Sequence, residues 1–193
     1  ANNTAVGTSA LKLNTGADNT AVGRGSLLNN STGASNTAVG KDALNDNTTG
    51  NYNDAFGENA LASNTTGSNN SAIGRYSLNT NTTGDSNTAV GSLALRYATT
   101  ADNNTAVGRQ ALTANTTGAN NTALGYAALI TNTTQSNNTA VGFQSLYTLN
   151  GGTNNAALGH NSLFNSTTCD NNAAVGKSAM ENTTSGSNNV AVG

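Results

Sequence analysis

Asn36-Thr37-Ala38-Val39-Gly40 decides the fold, because this phrase recurs at a fixed interval along the whole chain. Its closing glycine is one of twelve: Gly7, Gly23, Gly40, Gly57, Gly74, Gly91, Gly108, Gly125, Gly142, Gly159, Gly176 and Gly193. Every interval between them is 17 residues except the first, which is 16. A period this short and regular specifies a stacked repeat, in which each unit touches only its neighbours.

Aligned on that glycine, the repeat has fixed and variable phases. Four residues before it stands Asn every time, as at Asn36, Asn53, Asn70, Asn87, Asn104 and Asn121. Two before it is always Ala: Ala5, Ala21, Ala38, Ala55, Ala72, Ala89 and Ala106 begin the series. One before it is aliphatic or Phe, as in Val39, Phe56, Ile73, Val90, Val107, Leu124 and Val141. Four after it is Leu (Leu44, Leu61, Leu78, Leu95 and Leu112, for example), with Met180 the only exception. A second turn phrase follows, as at Asn47-Thr48-Thr49-Gly50.

Asn, Thr and Gly are poor helix formers, and the pieces between glycines are shorter than a mean helix. Two short strands joined by turns fit better: the Asn-Thr-Ala-Val-Gly phrase and the Ala/Ser-Leu stretch. The expected fold is therefore all-β, a parallel β-solenoid with one 17-residue repeat per coil. Residues 1–193 then form a single solenoid of about eleven coils, read as a segment of a longer fibre. At roughly 4.8 Å per strand the rod is about 53 Å long.

Side chains alternate along a strand, so Asn, Ala and Gly share one face while the residues three and one before the glycine share the other. The invariant Ala and the Leu row point into a cramped coil. The Val/Thr face lies outside, as an apolar stripe that asks for a partner. Asn in register on consecutive coils can bond amide to amide along the axis. The glycines Gly23, Gly40, Gly57, Gly74, Gly91, Gly108 and Gly125 are read as tight turns with no room for a Cβ. The second turn glycine is replaced by Ala101, Gln135 and Cys169. Gly84→Ala and Gly118→Ala are therefore expected to be tolerated, and Gly91→Ala or Gly108→Ala to damage the rod.

Asn189-Val190-Ala191-Val192-Gly193 and Asn70-Ser71-Ala72-Ile73-Gly74 resemble the head repeats of YadA-like trimeric autotransporter adhesins and related bacteriophage tail-fibre repeats. The resemblance runs the length of the chain. It implies a left-handed parallel β-roll, three chains about a common axis, and the outward aliphatic positions as the trimer interface. It also implies an extracellular, cell-surface or virion location. The 17-residue coil and the Asn-Thr-Thr-Gly insert differ from the family's usual pattern.

Composition excludes other classes. The chain carries 7 Lys+Arg against 9 Asp+Glu, too balanced and too scattered for a nucleic-acid partner. No apolar run is long enough for a membrane helix. His160 has no oriented acid or nucleophile beside it, so no enzyme, cofactor or metal site is expected. Cys169 occupies a turn-glycine phase and reads as a tolerated substitution. Arg24, Lys41, Arg75, Arg109 and Lys177 share the phase just after the boundary glycine and form one edge. That edge keeps rods from pairing side to side, or contacts a host surface glycan or receptor. The leading function is a rigid structural and adhesive fibre segment. The alternative is an ice-binding solenoid that uses Thr ladders.

Overall fold

A computed structural model describes residues 2–193. Fourteen three-residue strands carry the β structure, and twelve of them form one parallel sheet from Thr4–Val6 at one end to Val190–Val192 at the other. Register follows the repeat: Thr37, Ala38 and Val39 lie opposite Asp54, Ala55 and Phe56 of the next coil. Thr168–Asp170 and Ser185–Ser187 make a separate two-stranded pair. The chain is thus a parallel β-solenoid of about eleven coils.

The Ala/Ser-Leu stretch is not a second strand, contrary to the reading above. It is a run of turns in which the residues two and four after the glycine take left-handed backbone angles, as at Tyr76 (φ 55°) and Leu78 (φ 47°). A strand needs extended backbone, so this stretch cannot pleat. It still bonds coil to coil: Leu78 N–H donates to Ala94 O at 2.9 Å, and Tyr76 N–H to Glu58 O at 3.0 Å. Leu tolerates the left-handed angle because the balance favours burial. The angle costs about 1–2 kcal/mol, whereas full burial of Leu contributes about 1.5–3 kcal/mol.

The core is one molecule-long stack. Leu27, Leu44, Leu61, Leu78, Leu95, Leu112, Leu129, Leu146 and Leu163 are fully buried, and so is Ala at the strand centre from Ala21 to Ala140. Ala5 departs from the expected interior set: its strand, Thr4–Val6, is exposed throughout because it has a neighbouring coil on one side only. Boundary glycines sit at φ near +130°, and a Cβ on Gly91 would stand 2.6 Å from Gly108 O. Both angle and space therefore demand glycine.

The second turn glycine is more constrained than its replacements suggested. Its angle is ordinary, yet a Cβ on Gly84 would stand 2.5 Å from Asn81 Oδ1 and collide with Ala101 O. A Cβ on Gly118 would stand 2.5 Å from Asn115 Oδ1. Tolerance at Gly84 and Gly118 is corrected accordingly: the carbonyl of the next coil and the side chain of the preceding Asn occupy the space.

Candidate functional site

Three surfaces could carry function, and two buried amide ladders hold them in register. The first ladder is the expected one. Asn53 donates its backbone N–H to Asn36 Oδ1 at 2.9 Å, and its Nδ2 donates to the same oxygen at 3.1 Å and to Gly67 O at 2.9 Å. Asn70, Asn87 and Asn104 repeat the arrangement, each bonding to the Asn one coil earlier. Each amide therefore joins two coils and also ties down the second turn.

A second ladder was not foreseen. Asn47 Nδ2 donates to Asn30 Oδ1 at 2.6 Å and to Gly50 O at 3.0 Å; Asn64 continues to Asn47 at 2.7 Å and Asn81 to Asn64 at 2.8 Å. The signal was the repeated Asn of Asn-Thr-Thr-Gly, which alone reads as a solvated turn. The ladder breaks where Ala98 and Leu149 replace Asn, and there the buried oxygens Asn81 Oδ1 and Asn132 Oδ1 have no partner. Doubled Asn at the strand entrance has a separate explanation. In Asn69-Asn70 the first residue takes the left-handed angle (φ 60°), to which Asn is suited, and the second joins the ladder.

The first surface is the outer face of the sheet. Phe56 (40% exposed), Ile73 (45%), Leu124 (44%) and Leu158 (49%) stand out of it, with Val39, Val90, Val107 and Val141 half-buried between them. Thr37, Thr88 and Thr122 flank this row, half-buried, on the same face. The apolar row runs unbroken along the strands of the sheet, as the alternation requires.

The second is the edge after the boundary glycine, and it divides in two. Arg24 pairs with Asp42 at 3.3 Å, Lys41 with Glu58 at 3.2 Å, and Arg75 with Glu58 at 3.2 Å. Hydrogen bonds from Lys41 and then Arg75 hold the Glu58 carboxyl below its ordinary pKa. Further along, Tyr126, Phe143 and His160 stack at 5.2 Å between ring centres, with the Arg109 guanidinium 5.8 Å from the Tyr126 ring. Arg109 and Lys177 have no carboxylate within ion-pair distance among the described residues. The five bases expected to act as one edge are therefore three paired and two free.

The third surface is a row of exposed Thr: Thr32, Thr49, Thr66, Thr83, Thr100, Thr117 and Thr134, on consecutive coils. The Thr before each mostly turns back, as Thr65 does when its Oγ1 donates to Thr82 O at 2.8 Å. Cys169 is fully buried, with Sγ 3.2 Å from Thr183 O, which removes the exposure that a reactive thiol needs. Among the described residues no three His, Cys, Asp or Glu side chains are placed to hold a metal ion. No helix among them is long and apolar enough to cross a membrane.

Fold and surfaces together define a parallel β-solenoid with a half-exposed apolar row along its sheet face. No protein-family model, curated protein or solved structure matches the chain.

Proposed function

We propose that the chain is a rigid segment of an extracellular or virion fibre, a left-handed homotrimer in which the sheet faces of three copies meet. The observation that carries this is the unbroken apolar row on the outer sheet face, half exposed over coil after coil. Such a row is long and narrow, with one side chain every 4.8 Å or so. A partner that covers it must present apolar groups at that same spacing over that same length, and a second copy of the repeat does so. The resemblance to YadA-like head repeats and tail-fibre repeats points the same way. Stiffness comes from backbone bonding and amide ladders that run the length of the rod, which suits a spacer that holds a contact surface away from its base.

The test compares the chain with Phe56→Ser/Ile73→Ser/Leu124→Ser by light scattering coupled to size exclusion. Ser already occupies the outer face at Ser71, so the fold accommodates it. The reading expects the unsubstituted chain to elute as a trimer and the triple variant as a monomer with unchanged circular dichroism. Equal masses for both would refute it.

Ice binding is the second reading, favoured by the exposed Thr row from Thr32 to Thr134. β-branched Thr has few rotamers, so its hydroxyls repeat at fixed positions along the row. A thermal-hysteresis measurement tests it: activity lost in Thr66→Lys/Thr83→Lys supports this reading, and no hysteresis in the unsubstituted chain removes it.

A further inference from the structure

The repeat is uniform in its core but not on the turn side, where a groove of about 540 Å3 opens across four successive coils. Its cause is legible in the row five residues after the boundary glycine. Asn45, Ala62 and Asn79 are small there, whereas Ile130, Tyr147 and Phe164 fill the same row further along, the last two stacked at 5.0 Å. Tyr76 lines one end, its ring flanked by the guanidinium groups of Arg75 at 4.5 Å and Arg96 at 5.2 Å. The ion pairs of Arg24 with Asp42 and of Lys41 with Glu58 brace the adjoining edge.

We infer that this groove binds a short oligosaccharide. The volume lies within the range of small-molecule sites. Its lining is rich in groups that match sugar hydroxyls and have spare capacity. Asn45 and Asn79 each use Nδ2 to hold an earlier coil's carbonyl, Gly25 O and Asn59 O, both at 2.9 Å. Their Oδ1 atoms accept nothing among the described residues, and the Ser63 hydroxyl and the Asn59 side-chain amide are likewise uncommitted. Asp46 keeps one carboxylate oxygen free beside the one that accepts from Asn29 at 2.9 Å. Arg24 and Lys41 are both directed to Asp42, at 3.3 and 3.8 Å, so Asp46 is the lining carboxylate with no cation paired to it. Sugar hydroxyls would be bridged by these amide and carboxylate oxygens. The site uses none of the outer-sheet residues proposed to meet in the trimer.

This inference rests on the reading of the chain as a surface-contact fibre and names the class of partner. The test is a titration of isotope-labelled chain with maltotriose, cellotriose and chitotriose, with sialyllactose as the anionic arm, followed through side-chain amide resonances. At least one of the four sugars is expected to shift the Asn45, Asn59 and Asn79 amides. Filling the groove by Asn45→Tyr, the residue this row carries at Tyr147, should weaken binding by roughly tenfold or more, the loss of one or two hydrogen bonds. Ile130→Tyr, in the same row but outside the groove and making no side-chain hydrogen bond, should leave binding unchanged. No shift with any of the four sugars, or full binding by Asn45→Tyr, would overturn the inference. Failure here on a trimeric rod leaves the fibre reading standing, and sugar binding by a monomeric rod would overturn only the trimer.

Discussion

Restoring the broken rung of the second amide ladder should stabilise the rod, but only through two substitutions made together. Asn81 Oδ1 is a buried acceptor without a partner because Ala98 stands where the next Asn belongs. Asn in that place would repeat what Asn47 does: donate to the previous rung, donate to its own second-turn carbonyl, and accept from the following rung. The same coil, however, carries Ala101 where others have glycine. In a glycine coil a Cβ at that position would stand 2.5 Å from the ladder oxygen, as at Gly50 against Asn47 Oδ1. Gln135 shows what such a Cβ does, since the rung beside it, Asn132 to Asn115, is stretched to 3.1 Å against 2.5–2.8 Å elsewhere. Ala98→Asn alone should therefore be neutral or destabilising. Ala101→Gly alone should cost about 0.5–1 kcal/mol in backbone entropy. Together they add three hydrogen bonds of about 1 kcal/mol each and satisfy one buried acceptor, less the entropy of one ordered side chain and the glycine cost. The net is about 1–3 kcal/mol of stabilisation. A double-mutant cycle by circular-dichroism melts measures this directly, since 1 kcal/mol moves the midpoint by about 2–4 °C in a chain of this size. Effects that add to within about 0.5 kcal/mol would refute the account of the ladder.

Three further outcomes follow from the same geometry. Asn70→Ala should cost about 2–4 kcal/mol, because it strands the buried Asn87 backbone N–H and breaks the ladder bonds from Asn87 Nδ2 and to Gly84 O, the last carbonyl keeping only its bond from Asn81; a denaturant midpoint unchanged from that of the parent chain would contradict this. Gly84→Ala and Gly91→Ala should both lower the melting temperature, the second more because its φ of +129° adds strain to the clash; unaltered melting of Gly84→Ala would show that the turn has slack. Glu58 contributes stability above its ordinary pKa of about 4.3, since its folded-state pKa is depressed, and loses it as pH falls through the lower folded value. Glu58→Gln should thus flatten the acid limb of the stability–pH curve, and equal acid limbs in both chains would refute the pairing.

Much of the fold can be read directly from phase. An Ala that never varies, an Asn that never varies and a Leu four after the glycine each reported a buried place in a narrow coil. What phase does not report is backbone angle. Leu78 looks like a strand residue by composition, and only its φ of 47° shows that the second expected strand is a chain of turns. Nor does one position reveal what its neighbour occupies. Ala101, Gln135 and Cys169 make the second glycine look replaceable, whereas a Cβ at Gly84 or Gly118 meets the backbone carbonyl of the next coil as well as the Asn side chain three residues before it. The candidate surfaces were legible to different degrees. Alternation along the strand placed Phe56 and Ile73 outside, but the partition of the basic edge depended on Asp42 and Glu58, whose partners come from adjacent coils. The groove was hidden because it arises from Asn45, Ala62 and Asn79, which share one phase but lie 17 residues apart in sequence.

Sedimentation equilibrium of the unsubstituted chain tests the central claim most directly. The account predicts a single species of three times the chain mass that stays intact in high salt, as an apolar sheet-to-sheet interface should. A monodisperse monomer across the concentration range would contradict it and leave a solenoid whose apolar row meets some other surface.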